Sequence, residues 1–329
     1  MAKPTYTRGG QTEIDMGSLF MAVVDKRLNK IIDQVSLKTP VLSYVMERKN
    51  TTYFNGGEQF IISMSHMDNP NGGMIDEEEA ISMDDFDPIT GAIYKVKFMG
   101  FGVRLSKKEQ RVVRGSEKQF SLIEEKISNT VRSAKKVMNE QFWGGTGAGK
   151  QAEGIQKLIP ATLPASQTTT IGNLSPSTFP FWRTQAINMS GLYATQKLEE
   201  NMLTMWNTIV DETGEPDVIF TDRVTEEIYE NNGKDFLRSQ PRTINNNTFT
   251  LNQYKTAMII HDKEAPVKQM RFVTNDQFHF AVDPSNYFYW TGWKELPNVI
   301  KTKVQQLGVD YNFCRSEARG LGCIYNIAV

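Results

Sequence analysis

The sequence predicts a mixed α+β fold, and three observations carry that prediction. A single apolar face recurs at spacings of three or four residues from Glu117 to Trp143, the longest periodic element in the chain. Short apolar runs of strand type dominate from Ala257 to the end. Helices and strands do not alternate regularly and no segment repeats, which argues against a doubly wound parallel sheet or a solenoid.

Composition sets the class. With 329 residues, 39% of them hydrophobic and 23% charged, the chain can hold a large core in one elaborate domain or two closely joined ones. Its formal net charge of −1 gives no whole-chain attraction to nucleic acid. No apolar run approaches the roughly 20 residues that span a bilayer. The start, Met1-Ala2-Lys3-Pro4-Thr5-Tyr6, lacks a signal-type hydrophobic segment. A cytoplasmic site of synthesis is the expectation, with Cys314 and Cys323 reduced and buried.

Taken in order, residues 1–50 read as an N-terminal arm and helix. The first dozen are polar and glycine-bearing; from Asp15 to Val35 the positions Leu19, Val23, Val24, Leu28, Ile31, Ile32 and Val35 form a helical stripe. Asp15 or Ser18 would cap its start, and Lys38-Thr39-Pro40 would end it. Residues 51–105 read as an extended hairpin. Its strand candidates are Phe60 to Met64 and Tyr94 to Met99, separated by the turn cluster Asn69 to Gly73 and an acidic run. That run puts seven carboxylates in the twelve residues from Asp76 to Asp87. Such a limb costs ordering entropy and buries little of its own surface, so it makes best sense lying on a neighbouring subunit.

Residues 106–153 contain the long helix. Phe120, Ile123, Ile127, Val131, Ala134, Met138 and Phe142 form its apolar face, and Gly144-Gly145 stops it. At 1.5 Å per residue its length is roughly 40 Å. After a loop from Ala161 to Thr178 comes a second helix, about Ser190 to Val210, burying Leu192, Leu198, Met202, Met205, Trp206 and Ile209. Asp217 to Thr221 is a buried strand, and Asp222 would cap a helix from Arg223 to Asn231. Further strands are expected at Ala257–Ile260, Met270–Val273, Phe278–Val282, Val299–Val304 and Gly322–Ile327.

Several motifs invite a chemical reading. Gly144, Gly149 and Lys150 match the G-x-x-x-x-G-K part of a phosphate-binding loop, but Gln151 replaces the hydroxyl that holds Mg²⁺. A helix precedes the loop where a strand belongs, so a flexible connection is the better reading. The acidic run lacks the spacing of a calcium loop and reads as a solvated face. It would pair with Lys95, Lys97, Lys107 or Lys108 of a neighbour, steering assembly more than stabilising it. The adjacent pairs Glu124-Glu125, Glu199-Glu200 and Glu226-Glu227 point about 100° apart on a helix, so they read as solvated faces, not acid/base pairs. His66, His261 and His279 are scattered. Phe179-Pro180-Phe181-Trp182-Arg183 reads as a packing anchor, and Tyr287-Phe288-Tyr289-Trp290 as either core strand or contact surface. The sequence nominates no catalytic, cofactor-binding or metal-ligating residue.

The ordered series of arm, extended limb, long helix, Gly154-Ile155-Gln156-Lys157-Leu158-Ile159-Pro160, Phe181-Trp182-Arg183, Pro216-Asp217 with Thr221-Asp222, and a strand-rich end resembles the major capsid proteins of tailed bacteriophages. The resemblance implies a Hong Kong 97-type capsid fold. In it, residues 1–50 are the N-terminal arm and helix, 51–105 the extended loop (E-loop) hairpin, and 106–153 the peripheral domain with spine helix 117–143. Residues 154–294 are the axial domain, and 295–329 the C-terminal strands returning to the peripheral and axial body. It also implies a structural protein, not an enzyme, that closes into pentamers and hexamers of an icosahedral virion shell. Assembly in the host cytoplasm, a separate scaffolding protein, a portal and a decoration protein, and weak non-specific contact with packaged double-stranded DNA follow from the same resemblance. Family members that cross-link covalently use a lysine in the extended loop; Thr52 to Tyr94 contains none. An encapsulin-type compartment shell, a tail or head-decoration protein, and a nucleotide-binding enzyme using Gly144 to Lys150 remain as alternatives.

Overall fold

A computed structural model describes residues 39–47, 51–71, 73–74, 83–106, 116–190, 194–232, 238–244, 247–295 and 302–327. The expected helix from Asp15 to Val35, most of the acidic run, Lys107, Lys108, Leu192 and the first residues of the Val299 strand lie outside them. The first described element is a correction. Where the sequence suggests a helix end, Pro40 opens one, α1 (Pro40–Val45). Proline lacks an N–H that the first helical position would leave unpaired anyway. Val41, Leu42, Tyr44 and Val45 then bury into the main core.

Four strands follow: β1 (Thr51–Tyr53), β2 (Gln59–Ser65), β3 (Ile89–Lys95) and β4 (Lys97–Ser106). β2 and β3 form the expected antiparallel hairpin, in register from Gln59↔Lys95 to Ser65↔Ile89. The limb is nevertheless shorter than its sequence suggests, because Tyr94 to Met99 is not one strand. Ala92, Tyr94 and Val96 are buried up to the break, whereas Lys97, Val103 and Leu105 are buried after it. The buried face slips by one residue at Val96. By apolar alternation Phe98 belongs inside and Lys97 outside; the fold reverses them, because Lys97 finds acceptors on a distant loop.

The long helix α2 (Ser116–Gly144) lies within one residue of its expected bounds at each end. From Ile123 to Phe142 its stripe is buried. Ile123, Ile127, Val131 and Ala134 rest on Leu105 and Leu307, and Phe142 ends the stripe in an aromatic junction. Its ring lies 6.0 Å from Phe220, 6.0 Å from Phe278 and 5.3 Å from Phe313. A one-turn helix, α3 (Ile155–Leu158), follows.

The remaining elements are β5 (Gln185–Asn188), α4 (Ala194–Glu212), β6 (Val218–Thr221), α5 (Arg223–Asn232), β7 (Arg238–Ile244), β8 (Asn247–Tyr254), β9 (Ala257–His261), β10 (Gln269–Val273) and β11 (Phe278–Val282). The chain closes with β12 (Tyr289–Trp290), β13 (Lys294–Glu295), β14 (Thr302–Arg315) and β15 (Gly322–Tyr325). A seven-stranded sheet runs β5-β15-β10-β6-β9-β8-β7. Against it α4 buries Leu198, Met202, Met205, Trp206 and Ile209. In the second sheet, one edge of β14 pairs with β4 from Tyr311↔Lys97 to Thr302↔Ser106. The other edge pairs in succession with β11, β12 and β13. Phe142 therefore joins β6 of one sheet to β11 and β14 of the other.

Two elements escape the sequence reading. β14 runs for 14 residues, far beyond Val304, because Gln305 and Asn312 are buried yet break its apolar pattern. β7 and β8 form a polar hairpin with Pro241 in β7, at the sheet edge where proline is tolerated. The cap of α5 is as expected: Asp222 Oδ2 accepts the N–H groups of Val224 at 3.1 Å and Thr225 at 3.2 Å. Its Oδ1 also accepts Lys268 N–H at 3.1 Å. Asp222→Ala should lower the unfolding free energy by about 1–2 kcal/mol in urea denaturation. Asp222→Asn should recover only part of it, because its amide oxygen can replace one carboxylate oxygen while its NH2 cannot accept the Lys268 N–H.

Candidate assembly surfaces

The root of the β2–β3 hairpin is a knot around a buried arginine. Arg315 Nη1 donates to the Leu158 carbonyl at 2.5 Å and Nη2 to the Trp182 carbonyl at 2.7 Å. Its guanidinium lies 4.4 Å from the Trp182 ring centroid. Trp182 Nε1 in turn donates to Ile171 O at 2.9 Å. Tyr94, on β3, donates to Arg315 O at 2.9 Å and so ties the limb to the knot. Burial pushes the Arg315 pKa down to about 10, which leaves it charged at neutral pH. Phe179 to Arg183 is thus a packing anchor, as its composition suggests. Its outer rings, Phe181 and Phe179, receive His66 of the limb at 5.5 and 6.4 Å.

The glycine-rich stretch Gly144 to Lys150 departs from the sequence reading. It is no loose tether. Gly147 N–H donates to Ala152 O at 2.9 Å, Gln151 N–H to Ala148 O at 3.0 Å, and Thr146 Oγ1 to Gln151 Oε1 at 2.6 Å. The buried Lys97 ammonium donates to Gly147 O at 3.1 Å and Gly149 O at 2.8 Å. The turn therefore offers carbonyl oxygens to a cation, the reverse of a loop that aims N–H groups at phosphate. Lys150 is exposed.

Beyond the root, the limb carries unpartnered apolar groups. Ile61, Met67, Met74, Met83 and Ile89 are each at least half exposed. Asp68, Asp84, Asp85 and Asp87 are exposed beside them. Apolar and acidic groups crowded on one thin projection mark a contact surface. Tyr287 to Trp290 divides: Tyr289 is 53% exposed, whereas Trp290 packs with the α2 cluster.

Of the paired carboxylates Glu125, Glu199, Glu200 and Glu227 are exposed, Glu124 is half-buried and Glu226 is buried. The last meets His261 Nδ1 at 2.5 Å and accepts Asn252 Nδ2 at 3.0 Å, so it fastens α5 to β8 and β9. That role rests on a cross-strand neighbour and leaves no mark in the local sequence. His66 and His279 lie elsewhere, the latter 3.0 Å from Ser316 Oγ. Cys314 and Cys323 are free and buried. Among the described residues no cluster of His, Cys, Asp and Glu suits a metal, and no helix is long and apolar enough to cross a membrane.

No protein-family model matches the chain, and no curated protein sequence matches it. Solved structures do. The capsid subunit of Cyanophage A-1(L) is 15% identical at a TM-score of 0.65, over 88% of this chain and 93% of that one. The chain has a phage capsid fold. The capsid subunit of a native GTA particle has this fold too, at 10% identity and a TM-score of 0.57, over 87% and 91% of the two chains. So does the holo-SrpI encapsulin from Synechococcus elongatus PCC 7942, at 9% identity and 0.54, over 88% and 91%. On this fold the limb leaves apolar and acidic groups exposed, and its arginine-anchored root is buried in the body.

Proposed function

We propose that the chain is the major capsid protein of a tailed double-stranded DNA bacteriophage, a structural protein that acts by self-association. The observation that carries this is the likeness to the cyanophage subunit over 93% of that subunit's length and 88% of this chain. Residues 106–153 act as the peripheral domain, 154–294 as the axial domain, and 295–329 return to the body. Subunits close as pentamers and hexamers into an icosahedral shell in the host cytoplasm, on a separate scaffolding protein and around a portal. A decoration protein and weak contact with packaged DNA complete the particle. The limb, which buries little of its own surface, gains its stability on a neighbour.

Negative-stain microscopy of the protein co-expressed with its scaffold tests the proposal. Closed shells are expected; a monodisperse subunit at high concentration, or tubes, would overturn it. The encapsulin likeness favours one second reading, a compartment for protein cargo. Nucleic acid rather than protein inside isolated particles decides between the two.

A further inference from the structure

On its incoming side the limb meets the body through a very short connection. β1 lies in the body sheet, parallel to β11 from Thr51↔Phe280 to Tyr53↔Val282, and Phe54 N–H extends the pairing to the Val282 carbonyl at 3.2 Å. Glu58 is held on the far side, its carbonyl accepting Val96 N–H at 2.9 Å just before β2. Phe54 stacks on Phe60 of β2 at 5.1 Å between ring centroids, and Phe60 on Tyr94 at 5.7 Å. Between these anchors runs only Asn55-Gly56-Gly57, a turn with φ of +67° at Gly56 and +93° at Gly57.

Asparagine followed by glycine is the pair most open to attack by its own backbone. The nitrogen of the second residue reaches the side-chain Cγ of the first and closes a five-membered ring, and glycine puts no Cβ in the way. Ring closure needs an unbonded N–H and an amide free to turn onto it. Asn55 and Gly56 have both. They are exposed, and a Cβ on Gly56 would meet no described atom within 4 Å. No described residue hydrogen-bonds the Asn55 amide or the Gly56 N–H.

The same pair recurs at Asn71-Gly72 and Asn232-Gly233, and there the asparagine is held. Asn71 donates its side-chain amide to the Asp84 carbonyl and its backbone N–H to Asn69 Oδ1 at 2.9 Å. Asn232 is the last residue of α5, so its backbone has helical torsions that ring closure must undo. The sequence ranks the three pairs equally; their surroundings single out Asn55.

We infer that Asn55 is a site of spontaneous modification, where the chain ages to aspartate and isoaspartate at the base of the limb. Solvent base takes the Gly56 N–H proton and the nitrogen attacks Asn55 Cγ. The amide nitrogen takes a proton back and leaves as ammonia. One water then opens the cyclic imide at either carbonyl. Both products carry a carboxylate where the amide stood, and the isoaspartyl product adds a methylene to the main chain. A main chain lengthened between the two anchors strains the Phe54–Phe60 stack, so the base of the limb loosens. This chemistry does not depend on whether the chain builds a shell.

Incubation of the purified protein in mildly alkaline buffer tests the site, read by tandem mass spectrometry that places each change on a residue. Asn55 should gain one dalton and split into aspartate and isoaspartate forms. Its rate should exceed those of Asn71 and Asn232 at least about tenfold, because closure depends on how freely the reacting atoms align. Asn55→Gln, whose longer side chain would have to close a six-membered ring, should gain no mass at this position. Limited proteolysis should cut the base of the limb faster in aged than in fresh wild type, and equally in aged and fresh Asn55→Gln. Equal rates at the three asparagines, or no change at Asn55, overturn the site. A mass gain at Asn55 with unchanged proteolysis overturns the loosening.

Discussion

Arg315→Met is expected to lower the unfolding free energy of the subunit by about 3–5 kcal/mol. A buried arginine paired with a carboxylate can often be exchanged together with its partner for apolar residues at little cost. Here the acceptors are the backbone carbonyls of Leu158 and Trp182, which no substitution removes. Methionine fills much of the volume yet leaves two buried oxygens without donors. It also gives up the stacking on Trp182. Arg315→Lys should lose almost as much, since one ammonium lacks the planar fork that serves two carbonyls at once. Urea denaturation at unchanged m-value is the measurement. A loss below about 1 kcal/mol for Arg315→Met would mean that water satisfies the carbonyls and that the arginine is dispensable. Because Tyr94 bonds the Arg315 carbonyl, the variant should also expose the hairpin root to limited proteolysis.

Gly144→Ala and Gly145→Ala, neighbours in the chain, are expected to shift stability in opposite directions. Gly144 is the last residue of α2, and a Cβ there meets no described atom within 4 Å. Alanine should stabilise it by roughly 0.5–1 kcal/mol, by reducing the freedom of the unfolded chain. A Cβ on Gly145 would lie 2.3 Å from the Ala152 carbonyl oxygen and 2.5 Å from that of Gln141. Both are backbone atoms held by other bonds, so the crossing must open, at about 2–4 kcal/mol. Gly154 faces Gly145 across the same crossing, its Cβ site 2.6 Å from Gly145 N. Denaturation midpoints of the two variants separate a stiff joint from a tether. In a tether, both substitutions would be nearly neutral.

The long helix was legible because its apolar stripe runs uninterrupted from Ile123 to Phe142, even though the buried side of the helix also takes in Lys135 and Asn139. The Asp222 cap was legible because a capping side chain acts within three residues of its own position. The glycine stretch was misread for the complementary reason: glycine signals freedom in a sequence, and only the chain crossing at Gly154 shows that it serves close approach instead. Glu226 was misread similarly, its burial depending on His261 and Asn252 in other strands. The acidic composition of the limb was plain in the sequence.

The sequence by itself determined the α+β class, the helix that spans the body, the limb and its charge, and the resemblance to capsid subunits. These rest on local periodicity and composition, which act over a few residues. The tertiary structure decided which of Lys97 and Phe98 is buried and which carbonyls Arg315 serves. Each of those depends on a hydrogen-bond acceptor or a neighbouring strand supplied from far away in the chain. A buried cation is tolerable only where such acceptors already stand.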